Sequence, residues 1–141
     1  MSKARAEEMM RLYLTEVLGQ RKFELIPEFA AEDMVDHTQD IPGPAGLDAH
    51  ARGFCENIPN VQIEVERIFA AEDTAVGIWR WQGTPTRPMG LSASGDPVAP
   101  QRVASIFQIR DGMLVDYEVF VDAVDILSQI AAPAQEAVET Q

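Results

Sequence analysis

The chain has 141 residues, 46% of them hydrophobic, and its 23 Asp and Glu against 11 Lys and Arg give a formal charge of -12. That length fits one domain with a real core, and an acidic surface with no basic run excludes nucleic acid and anionic membranes as partners. The opening MSKARAEEMMRLYL is too charged for a secretory signal, no stretch nears the roughly 20 apolar residues of a membrane span, and the single Cys55 has no internal disulfide partner. A cytoplasmic protein is expected. With two histidines and no CxxC or HExxH spacing, neither a metal site nor a cofactor is expected.

Met10, Tyr13, Leu14, Val17 and Leu18 recur at helical spacing, and Gly19 stands where a C-terminal cap belongs, which predicts a first amphipathic helix with Tyr13 on its buried stripe. FELIPEFAAED predicts a short second helix with Pro27 in its first turn and Leu25, Ile26 and Phe29 facing inward. MVDHT then reads as a short extended segment. Leu47, Ala51, Phe54, Cys55 and Ile58 predict a third helix over 45–57, with His50 on the same face.

The period then changes. Val61, Ile63 and Val65 alternate with Gln62, Glu64 and Glu66, and AAEDT turns this strand into TAVGIWRWQGT. RVASIFQI follows and is turned by RDG into MLVDYEVFV, a hairpin signal flanked by apolar alternation. Between them, 84–101 form an arm rich in Pro, Gly and Ser, a length that points to function or a partner. DAVDILSQI predicts a short closing helix capped by Asp122. The expected fold is an α+β domain over 1–131, with three N-terminal helices on a curved antiparallel sheet enclosing a pocket, and a polar, disordered tail over 132–141.

Three stretches, IPEFAAEDMVDHT, GTPTRPMGLSASGDPVA and RDGMLVDYEVFVDAVDILSQI, resemble in this order segments of the superfamily with the cone-shaped fold of nuclear transport factor 2, and within it the SnoaL-like polyketide cyclases. The likeness runs from about Leu12 to Ile130. The resemblance implies a pocket for a hydrophobic small molecule, on a fold that hosts isomerases, cyclases, dehydratases, epoxide hydrolases and non-catalytic binding proteins. Against the ketosteroid isomerase branch, Tyr13 falls on the tyrosine that binds the oxyanion, His37 on the aspartate that moves the proton, and Ser105 on the second oxyanion donor. Against the cyclase branch, Val119 falls on the acid/base aspartate, and valine can neither take nor return a proton.

Strand parity turns Val103, Ser105 and Phe107 inward together, and Tyr117 with Val119. The resemblance adds Trp79 and Trp81 to the cavity wall and sends Arg80 outward. His50 and Phe54 complete the expected lining. The expected function is a cofactor-independent isomerase, cyclase or dehydratase for a hydrophobic carbonyl or cyclic compound, with His37 as a neutral base titrating at or below ~6.5. Tyr13 and Ser105 would steady the enolate. Asp36 is expected on the surface, because neighbouring side chains of a strand point to opposite faces. The alternative, favoured by Val119, is a non-catalytic dimeric protein that binds an apolar ligand. A homodimer is expected through the open sheet face bearing Ile106 and Phe120.

Overall fold

The computed structural model describes residues 3–87 and 102–122. Helix α1 spans Lys3–Leu12 and runs without a break into a π-helical turn over Tyr13–Leu18. Its buried side chains, Ala6, Met9, Met10, Tyr13, Leu14, Val17 and Leu18, are the apolar stripe seen in the sequence and its extension by one turn. The turn closes with the amide of Gly19 on the carbonyl of Leu14 at 3.1 Å, the wider spacing of a π-turn. Gly19 keeps ordinary helical backbone, with φ of -69°, rather than the left-handed cap its position suggests. What requires glycine there is space, since a Cβ would overlap the carbonyl oxygen of Thr15.

A 3-10 turn over Phe23–Leu25 leads into the four-residue α2, Ile26–Phe29, which has Pro27 in its first turn and buries Ile26 and Phe29. Strand β1 is Ala30–Asp36, and α3, Pro44–Asn57, starts after Gly43, whose φ of 77° suits a residue without a Cβ. Four strands complete the described chain: β2 (Gln62–Ala70), β3 (Thr74–Gln82), β4 (Arg102–Arg110) and β5 (Met113–Val121). The β4–β5 turn has Asp111 at φ 54° and Gly112 at φ 78°, the two left-handed positions that a two-residue hairpin needs.

The sheet is curved and open, in the order β1-β5-β4-β3-β2. The last four strands are antiparallel neighbours, as expected, but β1 joins β5 in parallel, so the sheet is mixed rather than purely antiparallel. A parallel pair brings together segments distant in sequence, and local alternation carries no trace of it. Trp79 is buried and Arg80 exposed, on opposite faces as the alternation requires. The core lies between the helices and the inner sheet face, where Tyr13, Phe29, Phe107 and Tyr117 are almost fully buried with Met9, Met10 and Leu14. Each fully buried side chain of this size stabilises by about 1.5–3 kcal/mol, which holds the helical layer on the sheet. Among the described residues no helix is long and apolar enough to cross a membrane. The expected closing helix at 122–130, the polar tail and most of the 84–101 arm lie outside the described residues.

Candidate functional site

A cavity of about 180 Å³ opens between the π-turn, α3 and the inner faces of β3, β4 and β5. Tyr13, His50, Phe54, Trp79, Trp81, Val103, Tyr117 and Val119 of the expected set line it, along with Leu18, Ala51 and Val121. Its wall is apolar except at one end, where Tyr13, His50 and Tyr117 meet. Phe107 lies one layer back, edge-on to both tyrosines with ring centroids 5.5 Å apart in each case.

The polar end is a hydrogen-bonded chain. The indole N–H of Trp79 donates to Ser105 Oγ at 3.0 Å, and Ser105 Oγ lies 3.0 Å from the hydroxyl of Tyr117. Ser105, fully buried, therefore stands behind the wall and props two lining residues. Tyr13 packs edge-on to Tyr117 with ring centroids 5.6 Å apart. Burial pushes the Tyr13 hydroxyl well above the usual tyrosine value, helped by Tyr117 and by the negative charge of Asp36. Tyr117 is pushed up to about 12 by burial, against the opposing influence of the Ser105 and Tyr13 hydroxyls. Both phenols are thus neutral donors at physiological pH.

Beside them lies a buried carboxylate that the sequence reading put on the surface. Asp36 is 1% exposed and accepts from the Thr38 amide at 2.9 Å, the Thr38 hydroxyl at 2.7 Å and His50 Nδ1 at 2.8 Å. Burial alone would raise its pKa, but the hydrogen bonds from His50 and Thr38, with the charge of His50, outweigh that and hold it below the ordinary value. The carboxylate is ionised and can only accept, so Nδ1 of His50 carries a proton, and in the neutral ring the lone pair is on Nε2. The His50 ring lines the cavity with its centroid 5.5 Å from that of Tyr117. This arrangement puts a lone-pair nitrogen and phenolic donors at one end of an apolar chamber.

The sequence model of the SnoaL-like polyketide cyclase family matches residues 8–130. The chain belongs to that family. No curated protein matches the sequence. Among solved structures, TsrD from Streptomyces laurentii superposes with a TM-score of 0.71 at 18% identity, covering 94% of this chain and 98% of its own. A protein of Jannaschia sp. CCS1 described as a SnoaL-like polyketide cyclase gives 0.70 at 20% identity, over 93% and 94%. An LEH-like epoxide hydrolase of M. tuberculosis gives 0.64 at 14% identity, over 99% and 98%. At these identities the likeness is one of fold.

In this SnoaL-like chain His37 does not join Tyr13. It stands on the outer side of the sheet with its side chain half exposed, and its Nε2 is 2.8 Å from Asp116 Oδ2. The parity argument was sound, but the register decides which neighbour turns in. Asp36 pairs with Tyr117 across the β1–β5 ladder and shares its inward face, which turns His37 outward. One signal could have found this: Met34, apolar and buried, marks the inward face of β1, and Asp36 is two residues on. Folding also brings ligand atoms of His37, Asp116 and Glu118 within 4.8 Å of one another, a grouping that sequence spacing does not reveal.

The hydrogen bond and charge of Asp116, with the charges of Glu118 and Asp36, raise the His37 pKa above 6.5, opposite to the depressed value expected for a pocket base. A carboxylate partner favours the imidazolium, so Asp116→Asn is expected to lower that pKa. An NMR titration of the imidazole carbon signals measures it directly, and an unmoved pKa would contradict the pairing.

Proposed function

We propose that this chain is a cofactor-independent acid–base enzyme that moves a proton on a hydrophobic carbonyl compound, with His50 rather than His37 as the base. The observation that carries the reading is the buried Asp36 carboxylate holding His50 Nδ1 at 2.8 Å, which leaves Nε2 basic in a ring that lines the cavity. His50 takes the proton next to the carbonyl, Asp36 steadies the resulting imidazolium, and the phenolic end donates to the developing enolate oxygen. Return of the proton to a different carbon completes an isomerisation; its delivery to a departing hydroxyl completes a dehydration. Val119 lines the same cavity and takes no part in proton transfer. The test needs no knowledge of the natural product. Simple ketones incubated with the protein in heavy water are expected to gain deuterium at the carbon next to the carbonyl faster than in buffer. Absence of catalysed exchange across a panel of ketones that do bind would leave the non-catalytic reading instead.

The same reading includes a homodimer formed through the outer sheet face. Phe69 and Phe120 are 47% and 54% exposed there, next to half-buried Ile78, Ala104 and Ile106. One flank bears Arg80 and Arg102, both on Glu66 at 2.7 and 3.0 Å, and the other bears Asp116 and Glu118. A two-fold pairing sets the basic flank of one copy on the acidic flank of the other around an apolar centre. Phe120→Asp is expected to convert the dimer to monomer in light scattering at micromolar concentration. A monomeric parent chain under those conditions would refute the assignment.

A further inference from the structure

The size of the cavity and the count of protons at its polar end together narrow the ligand. An engineered cavity of about 150 Å³ is filled by benzene, whereas pockets for drug-sized ligands start near 300 Å³. At about 180 Å³ this cavity holds one six-membered ring with one or two small substituents. Its apolar side is walled by an interlocked set. Phe54 packs edge-on to Trp79 at 5.7 Å and 88° and to Trp81 at 5.6 Å and 85°. Trp79 is fixed further by its bond to Ser105. The wall cannot recede without turning several packed rings out of their rotamers, which costs more than a weakly bound ligand returns.

At the polar end, protons can be counted. An indole nitrogen only donates, so Ser105 Oγ accepts from Trp79, and it shares one hydrogen bond with the hydroxyl of Tyr117 in which either oxygen can be the donor. The Tyr13 ring stands edge-on to Tyr117 with centroids 5.6 Å apart, and its hydroxyl takes no part in this chain. Whichever way that bond runs, the Tyr13 O–H has no acceptor among the described residues, and its ring lines the cavity. A buried donor without a partner calls for an acceptor on the ligand.

We infer that the site takes a single-ring ketone or enone, its carbonyl oxygen on the surplus phenolic proton, and excludes fused polycyclic compounds. This rests on the His50 reading only for the direction in which the acidic C–H faces; the size limit and the oxygen site stand without it. The test follows the two indole N–H signals by NMR while cyclohexenone, acetophenone, α-tetralone and a four-ring ketosteroid are titrated into the full chain. The two single-ring ketones are expected to shift both signals, α-tetralone to bind at least tenfold more weakly, and the steroid to leave them unmoved. Cyclohexene is expected to bind about tenfold more weakly than cyclohexenone, a gap that Tyr13→Phe should close. Trp81→Ala is expected to restore α-tetralone binding by opening the apolar side. Steroid binding as tight as that of acetophenone, or equal binding of cyclohexene and cyclohexenone by the parent chain, would overturn the inference. The parent-chain series stands even where a variant fails to fold. If the ranking holds but no ketone exchanges deuterium, the base assignment fails and the ligand class survives.

Discussion

Asp36→Asn is expected to cut ketone deuterium exchange by about three to four orders of magnitude while leaving the cavity able to bind, the loss seen when an orienting carboxylate of a histidine base becomes an amide. The reason is the tautomer. Asparagine can still accept from the Thr38 amide and hydroxyl with its oxygen, which leaves its NH2 facing His50 Nδ1. A donor there forces Nδ1 to become the acceptor and moves the ring proton to Nε2, so the nitrogen left to the cavity changes from base to donor. Nitrogen-15 shifts of the His50 ring distinguish this from mere loosening, because they report which nitrogen carries the proton. Substituting the base itself, His50→Gln, is expected to abolish exchange by 10²–10⁴-fold, and His37→Ala to leave it within about twofold. Full exchange in Asp36→Asn with an unchanged tautomer would refute the role given to the pair.

The larger effect on stability is expected from Asp36→Ala, about 3–5 kcal/mol at neutral pH, because removing one partner of a buried pair strands the others. The alanine leaves the Thr38 amide and the His50 ring without their acceptor in a site where the carboxylate was fully buried. The pH dependence has a defined sign. The folded pKa of Asp36 lies below its ordinary value of 3.8, so the carboxylate contributes stability that is fully present above 3.8 and is lost as the pH falls through the lowered value. Urea unfolding at neutral pH and again well below pH 3.8 should therefore show the gap between the parent chain and the variant narrowing in acid. A gap that widened in acid would reverse the assignment of charge.

Much of this was legible in the residues. The alternation of β4 and β5 gave Val103 with Phe107 and Tyr117 with Val119 their common directions, the family resemblance added Trp79, and the stripe from Met10 to Leu18 located Tyr13. What the residues withheld was register. Alignment with relatives set His37 opposite Tyr13 by chain distance, but β1 meets β5 with a register shift between Ala30 and Val35. Those extra residues on β1 face no partner on β5, so counting along the chain does not say which side of the strand a residue takes. Ser105 was singled out by the resemblance as an oxyanion donor, yet its place as a prop depends on the Trp79 indole and the Tyr117 hydroxyl, which meet it only across the sheet.

The edge position of β1 has a further consequence. This strand pairs with a single neighbour, through a ladder that its own bulge interrupts, while His50 rides on α3 and the tyrosines on the helical layer and the sheet interior. Opening of an edge strand is a local event with a smaller free energy than unfolding of the whole domain. When β1 lifts, the carboxylate leaves its histidine, and Met34 leaves the core with it, while the residues that line the cavity stay on other elements. On the proposed role of His50, heat or denaturant is therefore expected to stop ketone exchange before it melts the protein.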